Sequence, residues 1–169
     1  ILARGHRRIG FIAGPETHTA QRERKTGLLE ALAQVPEASV VVRQGNFLFT
    51  SGLEEGRELL GLADRPTAIF ACNDDMAAAA VAIAHQHKIS VPGDLSICGF
   101  DDTPLADAIW PRLTTIRQPI KEMSGKAMEM LCARLWPDGS EEAAALPRHL
   151  RLPFELRRRQ SDAVPRIDR

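Results

Sequence analysis

Two apolar runs in this chain stop abruptly at clusters of side chains that donate and accept hydrogen bonds. Ala68-Ile-Phe-Ala-Cys72 runs into Asn73-Asp74-Asp75, and Leu95-Ser-Ile-Cys-Gly-Phe100 runs into Asp101-Asp102. Ligands of open α/β sheets bind outside the carboxyl ends of the strands, so polar clusters at two such ends point to one shared crevice. Helical periodicity brings Arg24 near the turn that faces those ends, where its fork can clamp a hydroxyl pair or a carboxylate in a way Lys cannot copy. Phe47, in a Gly45-Asn46-Phe47 turn after another strand, can floor the crevice with an apolar ring. Gln118, at the end of Thr114-Thr-Ile-Arg-Gln, can reach the same place. Arg, Phe, Asn, Asp and Gln supply bidentate donors, acceptors and one flat face, but no nucleophile–base pair. That set suits binding of a neutral ligand.

Each residue also has a plainer role. One of Asn73, Asp74 and Asp75 should cap the helix that follows, and one of Asp101 and Asp102, ahead of Thr103-Pro104, can serve a turn. Phe47 can be core, and Arg22 and Lys25 can lie on a solvated face. Catalytic and metal signals are weak. The first strand ends in Gly14-Pro15-Glu16, which is neither a dinucleotide nor a triphosphate loop, and Pro15 lacks the N–H of an anion nest. No Ser stands in G-x-S-x-G. His85 and His87 are two apart on a helix and diverge, so they cannot share a metal. A phosphoacceptor site would need a further strand-end acid and a placed Lys beside Asp101-Asp102. The expectation is therefore no enzyme, no cofactor and no metal.

The elements that must hold these residues alternate. Ile9–Ala13 reads as a strand, Ala20–Gln34 as a helix with Leu28, Leu29 and Leu32 at helical spacing, and Ser39–Arg43 as a strand. A helix capped by Thr50 or Ser51 follows, then strand 68–72, the Ala-rich helix 76–87 and strand 95–100. This rhythm argues for a Rossmann-like parallel β-sheet with helices on both faces. Helix 76–87 is apolar on nearly every side, which calls for a second cover, and a dimer partner is a candidate. Beyond Asp102 the rhythm breaks into an irregular stretch through Trp110-Pro111, a helix at 120–135, a loop at 137–147 and a strand near 148–156. The polar tail from Arg157 is expected to fray.

With 169 residues, 44% of them hydrophobic, the chain can bury a real core. Lys plus Arg and Asp plus Glu each total 22, so the basic field that phosphate-backbone binding requires is missing. Cys72, Cys98 and Cys132 lie in apolar runs and read as free thiols of a reducing compartment. Neither a signal peptide nor a membrane-spanning run is seen, so a cytoplasmic location is expected. Opening on Ile1 rather than Met fits a piece of a longer protein.

Gly5-His6-Arg-Arg-Ile9, Arg24-x-x-Gly27, Pro66-Thr-Ala-Ile-Phe-Ala-Cys-Asn73-Asp-Asp-Met76, Val91-Pro-Gly-Asp-Leu-Ser-Ile-Cys-Gly-Phe-Asp101-Asp102 and Leu113-Thr-Thr-Ile-Arg-Gln118 occur in order along the chain. With these motifs at this spacing the sequence resembles the lactose/galactose-repressor (LacI/GalR) family of bacterial transcriptional regulators, over residues 5–158.

That resemblance implies the C-terminal subdomain of a periplasmic-binding-protein-like effector domain, formed by 1–117 and 146–158. It assigns 118–145 to a mostly absent N-terminal subdomain and leaves 159–169 as a tail. It implies a small-molecule effector, a carbohydrate by preference, contacted by Arg24, Phe47, Asn73, Asp101 and Gln118. It also implies a homodimer through helix 76–87 and the stretch near Ile109-Trp110, and operator DNA bound only by a segment outside this chain. The proline after Gln118 departs from the family pattern. A periplasmic sugar-binding protein of a transport system is the alternative.

Overall fold

The run Ile9–Ala13 is buried throughout because it is an interior strand of a parallel sheet, covered on both faces. A computed structural model describes residues 1–136 and 149–166. Strand β1 (Arg8–Ala13) pairs in parallel with β2 (Ser39–Gln44) on one side and β3 (Ala68–Ala71) on the other. Strand β4 (Ser96–Cys98) adds beyond β3, giving the order β2-β1-β3-β4. The chain thus leaves β1 to one side and returns on the other, so the switch point lies between β1 and β3. Parallel pairing also brings the carboxyl ends of all four strands to one edge, with Ala13 opposite Gln44 and Ile12 opposite Ala71.

Helix α1 (Thr19–Ala33) follows β1, α2 (Phe49–Leu60) follows β2 and α3 (Asp74–Gln86) follows β3. Helix α3 starts two residues before the expected position because Asn73 is its cap, accepting the Met76 amide on Oδ1 at 3.1 Å. The cap expected at Thr50 or Ser51 is not formed, since α2 already begins at Phe49. Ser51 instead lies in its first turn, donating to Leu48 O and accepting from the Asn46 amide.

The apolar girth of α3 has a different cause from the one its composition suggested. Its second cover is α2 of the same chain, not a partner. A Cβ built on Gly52 would stand 2.6 Å from Met76 Cα, and one on Gly56 3.4 Å from Ala80 Cα. Glycines four apart let the two helices close together, and Ala78 and Ala79 are buried between elements of one protomer. Glutamate at Ala78 or Ala79 would break this core rather than report on a dimer.

After β4 come the short α4 (Pro104–Ala108) and β5 (Thr115–Arg117), which pairs with β6 (Glu155–Arg157). The final strand is shorter and later than expected, because its partner β5 offers only three residues. The loop expected at 137–147 lies outside the described residues. Over its described residues, 157–166, the tail is anchored rather than frayed. Ser161 is fully buried, its carbonyl accepts from the Ile97 amide at 2.8 Å, and its Oγ donates to Ile97 O at 2.6 Å. The strap thereby satisfies the open edge of β4. Further along, Asp162 meets Arg4 at 2.5 Å, and the buried His6 donates from Nε2 to Ala163 O and pairs through Nδ1 with Thr67 Oγ1, each at 2.9 Å.

The chain divides into two compact units, residues 1–116 with 156–169, and residues 117–155. The second unit carries α5 (Ile120–Leu135), of which no residue is buried. None of the described helices is long and apolar enough to cross a membrane.

Candidate functional site

The site is built at the carboxyl ends of β1, β2, β3 and β4, beside the switch point. Helix α1 delivers Arg24 from its second turn. Its Nη1 donates to Cys72 O, the last carbonyl of the β3 run, at 2.5 Å, and its Nη2 reaches Asp101 Oδ1 at 3.2 Å. The guanidinium also lies over the Phe100 ring, 3.8 Å from the centroid. The Arg24 and Asp101 side chains are 13% and 30% exposed, so the pair is sheltered yet still open to solvent.

Phe47 sits in the left-handed region at φ 70, which strains a residue with a Cβ. Its turn is held from both sides. Asn46 Oδ1 accepts the Leu48 amide at 3.0 Å, and Asn73 Nδ2 donates to Phe47 O at 2.8 Å. The ring lies where a side chain on Gly14 would go, so only glycine fits at the end of β1. His18 meets the same ring edge-on, with centroids 5.4 Å apart. Gln44 donates to Gly14 O and closes that side.

Arg24, Phe47, Asn73 and Asp101 therefore meet at one edge of the first unit. Gln118 belongs to the second unit, where its carbonyl accepts from the Ile120 amide at 2.9 Å. Asn73 is more occupied than its sequence position implied, because one amide both caps α3 and pins the Phe47 turn.

The neighbouring acids have separate duties. Asp74, one of three candidates for the cap of α3, is fully buried; it accepts from the Thr103 amide at 2.7 Å and from Thr115 Oγ1 at 2.6 Å. Burial pushes its carboxyl above the usual range, and the threonine bonds pull back only in part. Asp102 points away from the crevice onto Arg159, 2.6 Å away. Burial likewise raises the Cys72 thiol, and pushes Cys98 up to about 12, so neither is poised as a thiolate. Among the described residues no three His, Cys, Asp or Glu side chains gather around a potential metal position.

A half-buried Arg–Asp pair thus stands beside an aromatic residue of positive φ at the sheet's switch point. The family model described as periplasmic binding protein-like domain matches residues 1–161. The chain belongs to that family. This periplasmic binding protein-like domain is 44% identical over 128 residues to the HTH-type transcriptional regulator DegA of Bacillus subtilis, a match covering 75% of the chain and 38% of the regulator. It superimposes with TM-score 0.85 on a sugar-binding LacI-family regulator from Escherichia coli complexed with phosphate, at 29% identity, covering 97% of this chain and 58% of that one. The dimeric Lac repressor with an 11-residue C-terminal deletion gives the same TM-score at 26% identity, covering 98% of this chain and 58% of that one. The domain thus spans well under half the length of the curated regulator and somewhat over half of each solved structure.

Phe100 and His18, which touch Arg24 and Phe47, had gone unnoticed as neighbours of the crevice. Phe100 ended an apolar run and looked like core. His18 looked like loop, although its place just ahead of α1 and after Gly14 put it beside the crevice. The burial of Asp74 has no local signal, since its partner Thr115 comes from a distant strand.

Proposed function

We propose that this chain is the C-terminal part of the effector-binding domain of a ligand-responsive bacterial transcriptional regulator, sensing a small sugar or related metabolite. The observation that carries the reading is the Arg24–Asp101 pair, fixed on Cys72 O and still open to solvent. Asp101 would accept from ligand hydroxyls while Arg24 donates to a neighbouring pair, and Phe47 with His18 would pack on the ring. Asn73 would offer its remaining hydrogen-bonding capacity. For Gln118 the family resemblance alone supports contact. Each neutral hydrogen bond contributes about 0.5–1.5 kcal/mol, so affinity has to come from several acting together. Effector binding alters DNA affinity only to the extent that the effector prefers one arrangement of the whole protein over another. DNA would be held by a segment outside this chain.

The names of the relatives favour a regulator over a transport binding protein, and with it a cytoplasmic location and no catalysis. Residues 117–155 would belong to the other half of the effector domain, a role consistent with the unburied faces of α5. A homodimer through the first unit is supported by the exposed Leu48, Phe49 and Trp110, which flank the start of α2 and the end of α4. Replacing Trp110 with Glu should shift the full-length protein to monomer in sedimentation, and an unaltered dimer would refute that surface. The test of the main reading is calorimetry of the full-length protein against monosaccharides and purine bases. Saturable binding that changes operator affinity is expected, and binding without any effect on DNA would return the transport reading.

A further inference from the structure

Asp101 and Asp102 are consecutive, and both have positive φ, 112 and 57. A residue with a Cβ is strained there, less so for Asp, whose short side chain can bond locally. Such strain persists only where the surroundings over-determine it. On the backbone, the Asp101 amide donates to Ile116 O at 2.9 Å. For Asp102 the anchor is Arg159 Nη2, at 2.6 Å, with the Arg159 and Asp102 side chains only 9% and 2% exposed.

Arg159 is itself held firmly. Its amide donates to Thr114 Oγ1 at 2.8 Å, Nη1 donates to Leu113 O at 2.9 Å, and Nε meets Asp107 Oδ1 at 2.9 Å. Its guanidinium is therefore a fixed point, supplied by the strap that also closes the edge of β4. Taking away one member of so dry a pair leaves a buried charge that must move toward water. Turning the backbone it shares with Asp101 would let Asp102 do so and would also relieve the positive φ.

We propose that Arg159 is a positioning residue for the crevice: through Asp102 it holds Asp101 in the left-handed conformation from which Asp101 meets Arg24. The purpose of this device rests on the effector reading, but its geometry does not.

The test uses crystal structures of the full-length protein carrying Arg159→Met, Arg159→Gln or Arg159→Lys. In the Met variant φ at Asp101 should leave the left-handed region and the Arg24–Asp101 contact should open beyond about 4 Å, the limit of a charge contact. The Arg24 bond to Cys72 O should remain. Arg159→Lys, which restores a cation, should keep the native Asp101 geometry. Arg159→Gln, milder because its amide can still donate, keeps the test available if the Met protein does not fold. A merely structural residue would lower the melting temperature and leave Asp101 in place. Native Asp101 geometry in folded Arg159→Met or Arg159→Gln protein overturns the proposal, whatever the protein binds. For a monosaccharide or purine base that binds the native protein, affinity should fall about tenfold in the Met variant and recover in the Lys variant. A displaced Asp101 in a protein that binds none of those compounds would overturn the effector reading and still support the positioning role.

Discussion

The crevice and the C-terminal strap each pair an arginine with an aspartate, and the two aspartates are neighbours in the chain. In the crevice Arg24 meets Asp101 at 3.2 Å with both side chains still partly in water. Under the strap Arg159 meets Asp102 at 2.6 Å with almost none. The first pair stays within reach of water, and in the proposed reading a ligand competes for it there. The second is enclosed, and each of its neighbours adds a further bond. Residue type does not separate a receptor from a fastener. What separates them is how much hydrogen-bonding capacity is left over and how much water can reach it.

Replacing each member of this comparison should affect different observables. Asp101→Gly carries the largest effect: a glycine accepts the positive φ, while the loss of charge-assisted bonds of about 1.5–3 kcal/mol should weaken effector binding on the order of 100-fold. Calorimetry with a bound monosaccharide measures this, and unchanged affinity would remove Asp101 from the site. Ser161→Val should do the reverse, costing about 1–3 kcal/mol by leaving the buried Thr114 amide, now 2.8 Å from Ser161 Oγ, without that acceptor. Denaturant unfolding gives the loss, and effector affinity should hold; a fall in affinity with stability intact would merge the two regions.

The smallest effect concerns pH. Burial holds the His6 imidazole below its ordinary value of 6.5. A histidine kept neutral by the fold adds stability above pH 6.5 that drains away as pH falls from there through the lowered folded value, because the unfolded chain takes up the proton first. Between about pH 7 and about pH 5 the native protein should therefore lose more melting temperature than His6→Gln does. Parallel curves for the two proteins would show that the strap is not pinned through His6.

Much of this was legible from local pattern. Apolar runs such as Ile9–Ala13 and Ala68–Ala71 announced central strands, since a strand covered on both faces has no polar face to show. The abrupt ends of Ala68–Cys72 and Leu95–Phe100 pointed to the sheet edge at which the structure gathers Arg24, Phe47, Asn73 and Asp101. Arg24, Phe47, Asn73 and Asp101 were found by position on their elements and by family motif alike. The division of labour among the acids was not legible. Asn73, Asp74 and Asp75 look equivalent in sequence, yet one caps α3, one is clamped by Thr103 and Thr115, and one stays partly exposed.

By itself, then, the sequence determined the βα rhythm, the parallel sheet, the family and the edge at which the polar residues meet, because each depends on neighbours a few positions away or on one repeated period. Only the tertiary structure decided that α2 rather than a partner covers α3, that a polar tail becomes a strap anchored by the buried Ser161, and that Asp102 faces Arg159. Those outcomes depend on which distant group arrives with a matching charge and a vacant hydrogen bond, and on how much water remains once it has arrived.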